Sequence, residues 1–275
     1  LLVFGAPSML GYAQTLYLLP IGIFGMAIAA SELPEMSRKR EDVQAFLVPR
    51  VQGALNRLAF LLIPSALAYL VLGDVFVAAL MERGAFTSDT TLATYWVLAA
   101  YSLGLPASTS SRALTSAFYA LRDTRTPASI ATRRVVVSAT VGAALMFPMD
   151  HLATGQWRLG AVGLALGSAV GAWMEYGLLR RRLGSHLGPH GPGKGWMLRM
   201  VVAGLVAAGA GFGVKLILGF SSDPGFLSDW LGNDSFWHNP LAALGTAGAF
   251  GVVYLGMTNV LGVGMPLRKR HRSGL

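Results

Sequence analysis

The stretch NRLAFLLIPSALAYL, Asn56 to Leu70, sets one permanent charge, Arg57, at the mouth of a hydrocarbon run that meets no other charge before Asp74. A run of about 20 apolar residues is the length at which a helix crosses the hydrocarbon core of a bilayer. The rest of the 275-residue chain has the same character: 53 % of residues are hydrophobic and only 13 % are charged. Soluble domains carry about 25 % charged residues, so half of the charge that would clothe a water-facing surface is missing. The sequence therefore reads as an all-α polytopic membrane protein.

About seven transmembrane helices are expected, at roughly 9–30, 54–80, 92–119, 130–149, 159–179, 197–219 and 240–264. The third segment is over-long, and Gly104-Leu105-Pro106 is expected to kink or break it. Pro20 and Pro64 fall inside the first and second. Breakers at such depth are tolerated where neighbours or water satisfy the freed backbone groups. Pro49 is expected in the first turn of the second helix.

Alternate loops are basic: Arg38, Lys39, Arg40 and Arg50; Arg122, Arg125, Arg133 and Arg134; Arg180, Arg181, Arg182, Lys194 and Arg199; and the 266–275 tail with Arg268, Lys269, Arg270 and Arg272. The intervening loops hold only Arg83 and Arg158, beside Glu82, Asp89, Asp150, Asp223, Asp229 and Asp234. Enrichment of Lys and Arg on the cytoplasmic side places the C-terminus in the cytoplasm and starts the first span outside. It also accounts for the net charge of +9 without a nucleic-acid partner. The chain opens LLVFGAPSML, with neither an initiator Met nor a signal peptide, and is expected to be the interior of a longer protein. Residues 184–195, including GPHGPGKG (Gly188–Gly195), form an expected flexible cytoplasmic linker.

Catalytic constellations are not evident. The five histidines fall in loops or the tail without metal-ligand spacing, and there is no cysteine. No cofactor or metal is expected. Ionisable groups in or near the spans are instead the functional candidates, because burying them is costly. Arg57 either snorkels to headgroups or faces a hydrated cavity, where its planar fork can hold phosphate oxygens. Arg112 follows the hydroxyl run Ser108–Ser111, and Glu175 precedes Arg180–Arg182 by little more than one turn. Glu175 is either an interfacial carboxylate balanced by arginines or a cation- or proton-coupled group. Gly163, Gly167 and Gly171 recur every four residues, as in helix seams where backbones approach closely.

Five ordered motifs then carry a resemblance: LYLLPIGIFGMAIAASELPEMSR (Leu16–Arg38), RLAFLLIPSA (Arg57–Ala66), ERGAFTSDTT (Glu82–Thr91), YSLGLPA (Tyr101–Ala107) and AFYALRDTRTP (Ala117–Pro127). Together they resemble the MurJ (MviN) family of lipid II flippases, in the MOP exporter superfamily, over most of residues 9–183. The resemblance implies the C-terminal lobe of a two-lobed, fourteen-helix transporter. Such a transporter moves undecaprenyl-diphosphate-linked peptidoglycan precursor across the bacterial cytoplasmic membrane by alternating access. It implies lipid II and membrane lipids as partners, an N-terminal six- or seven-helix lobe as a required companion, and coupling to Na+, H+ or the membrane potential. Arg57 matches a cavity arginine of the family and Arg112 a basic position, so both are expected to bind the substrate diphosphate.

Two departures stand out. Tyr12-Ala13-Gln14-Thr15-Leu16 replaces a common Y-A-D-R-L, and Glu175 stands where many members have asparagine. Gln14 and Glu175 are thus the expected site of altered cation coupling. Pro20, Pro64, Gly84, Gly104, Pro106, Asp123, Pro127, Gly163, Gly167 and Gly171 are expected to serve structure or gating, with a helix cap at Ser88 or Asp89. The alternatives are another exporter of the superfamily, for drugs or polysaccharide lipids, and a non-transporting membrane scaffold. Arginines rather than acids and aromatics in the second and third spans weigh against drug export.

Overall fold

The computed structural model describes residues 6–25, 43–151, 153–154, 157–188, 190–219 and 238–263. The chain is helical: α1 (Ala6–Pro20) runs into a π-helical turn, Ile21–Gly25. There follow α2 (Val43–Met81), α3 (Ser88–Ser102), α4 (Leu105–Ala120), α5 (Arg125–Asp150), α6 (Gly160–Leu187), α7 (Lys194–Leu218) and α8 (His238–Val260). A two-residue antiparallel ribbon, β1 (Ala153–Thr154) with β2 (Trp157–Arg158), closes the α5–α6 loop. Among the described residues, five helices are long and apolar enough to cross a membrane: residues 47–81, 125–150, 160–187, 194–218 and 239–260. The over-long third segment is the pair α3–α4, interrupted at Leu103-Gly104. Pro106 there falls in the first turn of α4, where a missing N–H costs nothing. Gly104 is buried against α6; a Cβ would sit 2.9 Å from the Ala169 Cα.

Helix α2 is longer than its apolar pattern. Its 39 residues measure about 58 Å at ~1.5 Å per residue, against a hydrocarbon core of about 30 Å. Pro49 is therefore not in the first turn but well inside the helix and exposed. Apolar patterning finds the membrane-embedded part of a helix and is blind to its polar extension.

Four prolines, Pro20, Pro49, Pro64 and Pro148, lie inside the described helices, and each lacks the N–H that would reach the carbonyl four residues back. At two of them a tyrosine from another helix supplies the donor. Pro64 frees the Phe60 carbonyl, and the Tyr254 hydroxyl of α8 donates to it at 2.7 Å. Pro20 frees the Leu16 carbonyl, and the Tyr69 hydroxyl of α2 donates to it at 2.9 Å. The gaps at Pro64 and Pro20 are thus converted into interhelical bonds.

Helix α2 is the spine of the packing. One core joins α1, α2, α3 and the start of α6 through Leu16, Leu58, Leu62, Val97 and Leu98. A second joins α2, α4, α5 and the end of α6 through Leu55, Phe118, Ile130 and Leu183. A third seats α7 and α8 on α2 through Phe60, Met200, Ala203 and Tyr254. Buried Gly204 and Gly211 meet Leu67 and Leu72, whereas Gly209 and Gly213, which share the four-residue spacing, have nothing within contact distance.

The described linker residues are tied down. The Gln52 side chain both donates to the Gly191 carbonyl (2.7 Å) and accepts from its N–H (2.5 Å). Arg180 Nη2 donates to the His190 carbonyl at 3.0 Å. At the other loops, Gly84 takes φ +58°, the left-handed region that favours glycine. The cap of α3 is Thr87, one residue before the expected Ser88 or Asp89. Asp123 Oδ1 accepts the Thr126 N–H at 3.0 Å at the start of α5, with buried Pro127 in the first turn. Hydrogen bonds from Thr126 hold the Asp123 carboxyl below its ordinary pKa.

Candidate functional site

Arg57 lies about 36 Å along α2 from Met81 and about 21 Å from Val43, at ~1.5 Å per residue. With Met81 at one boundary of an apolar layer about 30 Å thick, the guanidinium sits just past the other. It is half-buried and folds back one turn toward the helix start, with Nη2 3.7 Å from where a Gly53 Cβ would be. A Cα–Cβ bond tilted toward the N-terminus gives it that direction.

Arg112 is exposed on α4. The hydroxyls before it do not form an open polar surface: Ser108, Thr109, Ser110 and Ser111 are all buried. Ser108 and Thr109 bond back to the Leu105 carbonyl, at 3.3 and 3.1 Å. Ser108 Oγ also shares a 2.6 Å hydrogen bond with the Tyr17 hydroxyl, which ties α4 to α1. The Tyr17 hydroxyl feels the charge of Arg112 and also that of Arg134 from α5.

Arg134 reaches this neighbourhood because α5 and α6 touch backbone to backbone. At Gly163 a Cβ would lie 2.6 Å from the Leu145 carbonyl carbon, and at Gly167 2.4 Å from the Gly142 Cα. At Gly171 it would meet Ser138 Oγ at 2.0 Å. One turn on, the seam ends in an ion pair: Arg134 Nη1 donates to Glu175 Oε2 at 2.6 Å. The Glu175 side chain is 11 % exposed and the Arg134 side chain 33 %. The partner of Glu175 is thus on α5, not in the Arg180–Arg182 cluster of its own helix. Gln14 sits exposed on α1, and the structure does not join it to Glu175 by a hydrogen bond.

The structure therefore brings Arg112 and Arg134 into the neighbourhood of Tyr17, with Glu175 paired to Arg134 and with Arg57 on α2, a helix that packs against α4. An apolar cavity of about 200 Å³ lies beside the α3–α4 break, lined by Leu55, Ile63, Leu103, Pro106, Trp173 and Met197 among others. Neither Arg57 nor Arg112 lines it.

The model of the family "Lipid II flippase MurJ" matches residues 1–227. The chain belongs to that family. A probable lipid II flippase MurJ of Rhizobium meliloti is 34 % identical over 209 residues, 75 % of this chain and 37 % of its own length. That of Rickettsia prowazekii is 31 % identical over 176 residues, 64 % of this chain and 33 % of its own. A solved structure, the lipid II flippase MurJ in an inward closed conformation, superposes with a TM-score of 0.66 at 24 % identity. It covers 93 % of this chain and 47 % of that one. The chain thus spans about a third of the length of the curated relatives it matches. It is a multi-pass membrane protein with the fold of this family.

Within that fold, two groups were passed over in the sequence. Charge patterning groups Arg134 with the loop cations, although it stands nine residues into α5, about 14 Å from the helix start. Asp74 and Lys215 form an ion pair between α2 and α7, with side chains 17 % and 12 % exposed. Asp74 is the first charge after Arg57 and Lys215 the first after Arg199, each deep in an apolar run, which is the signal that was available; pairing them needed the packing of α7 on α2. Lys215 also lies 5.7 Å from the Phe212 ring centre.

Proposed function

We propose that this chain forms the C-terminal lobe of a lipid II flippase in the bacterial cytoplasmic membrane. The observation that carries the reading is the family match over residues 1–227, with the helices bearing Arg57 and Arg112 packed side by side. The eight described helices make seven passes, with α3 and α4 sharing one, and the C-terminus lies in the cytoplasm.

Arg57 and Arg112 replace the water that a diphosphate loses as its lipid crosses the apolar layer. A guanidinium suits this task because its fork meets two phosphate oxygens at once and stays charged at any accessible pH. An N-terminal lobe completes the cavity, and rocking of one lobe on the other opens it to each side in turn. Glu175 is the group through which Na+ or H+ couples to that motion.

The test is depletion of an essential flippase and complementation by this chain, with and without a co-expressed N-terminal lobe. Rescue is expected only with the lobe, and is lost with Arg57→Ala and Arg57→Lys. Failure to rescue in both arms, with the chain normally inserted, overturns the proposal.

A further inference from the structure

We infer that Arg134 is a third anion-binding residue of this lobe, positioned by Glu175 and exchanging that carboxylate for substrate phosphate. The inference rests on the reading that the lobe binds a diphosphate. Four observations lead to it.

First, the pair is asymmetric: the carboxylate is nearly enclosed, while a third of the arginine side chain stays accessible. Second, the bond to Glu175 uses Nη1 alone. A guanidinium has five N–H donors in a fixed fork, so Nε and Nη2 remain for an incoming oxygen. Third, the backbone beneath is immobilised. The contacts at Gly167 and Gly171 fix α5 against α6 one and two turns from the pair, so the guanidinium needs no ordering when an anion arrives. Fourth, Arg112 is exposed nearby, and both cations act on the same Tyr17 hydroxyl from different helices. Two arginines against one carboxylate leave this neighbourhood one positive charge in excess.

A consequence follows for cation coupling. While Glu175 holds Arg134, its carboxylate is already neutralised. A phosphate that draws Arg134 away leaves a buried carboxylate in need of a new counter-ion, so anion binding and cation uptake favour one another.

The competition has a sign that a merely structural pair lacks. Removing the Glu175 charge while keeping an acceptor, as in Glu175→Gln, frees Arg134 and tightens anion binding. Removing the guanidinium, as in Arg134→Gln, weakens it.

The experiment titrates inorganic pyrophosphate, at low salt, into the purified 275-residue chain in lipid nanodiscs, using calorimetry, with thermal unfolding to verify that each variant is folded. Arg134→Gln is expected to weaken binding about tenfold, the scale of one charged hydrogen bond. Glu175→Gln should tighten it about threefold or more, and the double variant should match Arg134→Gln. Weakening by Arg57→Ala and Arg112→Ala with no change in Arg134→Gln overturns this inference and leaves the proposed function standing. Weaker binding in Glu175→Gln, with the fold intact, also overturns it. No change in any of the five variants, or no binding by the native chain, overturns this inference, and the complementation assay decides the proposed function separately.

Discussion

Two helix pairs in this lobe are each closed by one ion pair, yet they are built in opposite ways. Helices α5 and α6 meet through glycine, backbone against backbone, and end in Arg134–Glu175. Helices α2 and α7 meet through Leu67, Leu72, Phe60 and Met200, and carry Asp74–Lys215. In the first pair the arginine is open to its surroundings; in the second both partners are enclosed. The difference teaches that an intramembrane charge has two uses. An enclosed pair fastens helices, and a half-open one, on the inference drawn above, presents its exposed partner to a ligand.

The largest expected effect breaks the enclosed pair. Lys215→Met strands the Asp74 carboxylate and should cost about 3–5 kcal/mol, the range for an uncompensated buried charge. Asp74→Asn added to Lys215→Met should restore most of it. Reversible unfolding in mixed micelles measures both, and equal loss in single and double variants would deny the pair its fastening role.

The seam should come next. Gly167→Ala drives a methyl into the backbone at Gly142, which no rotamer can relieve, at about 2–3 kcal/mol. Gly171→Ala meets only the Ser138 hydroxyl at its closest approach, so Ser138→Ala in the same chain should recover most of its loss. The same unfolding assay tests the contrast, and equal behaviour at the two glycines would sink it.

A smaller effect concerns the tyrosine that fills a proline gap. Tyr254→Phe should cost about 1–2 kcal/mol by orphaning the Phe60 carbonyl. In a Pro64→Ala background the restored N–H serves that carbonyl, and the cost should largely vanish. A double-mutant cycle reads this coupling directly.

The smallest lies outside the membrane. The Asp123 carboxyl has a lowered pKa in the folded protein, from hydrogen bonds with Thr126. Its contribution is therefore present above the unfolded value near pH ~4 and is lost as pH falls through the folded one. The difference in Tm between the native chain and Asp123→Ala should shrink on acidification; a difference that grows would reverse the assignment.

Much of this architecture was legible in the sequence because a membrane imposes simple rules on it. Length and hydropathy marked the segments, and Gly104-Leu105-Pro106 marked the break between α3 and α4. The glycine spacing in α6 marked a close contact, although not its partner. What stayed hidden depended on three-dimensional neighbours. That Arg134 would meet Glu175, and Lys215 would meet Asp74, follows from helix rotation and packing, which no single segment encodes. The same holds for Tyr69 and Tyr254, whose hydroxyl partners lie 53 and 194 residues away in the chain. The gap at each proline was visible, but the residue that fills it was not. Motif residues beyond Gly25, up to Arg38, and the 266–275 tail lie outside the described residues.

The clamp of Gln52 on Gly191 has a mechanical meaning once it is set beside Asp74–Lys215. Helix α7 begins three residues after Gly191 and reaches Lys215 about 32 Å later. It is thus pinned to α2 at one end by a side-chain amide gripping backbone and at the other by opposite charges. A rigid rod held at two points cannot slide or tip; it keeps only rotation about the line that joins them. Any swing of the α7–α8 hairpin therefore turns on an axis along α2, in the manner of a door hung on two pins, with the Tyr254–Phe60 hydrogen bond as the latch that must open first.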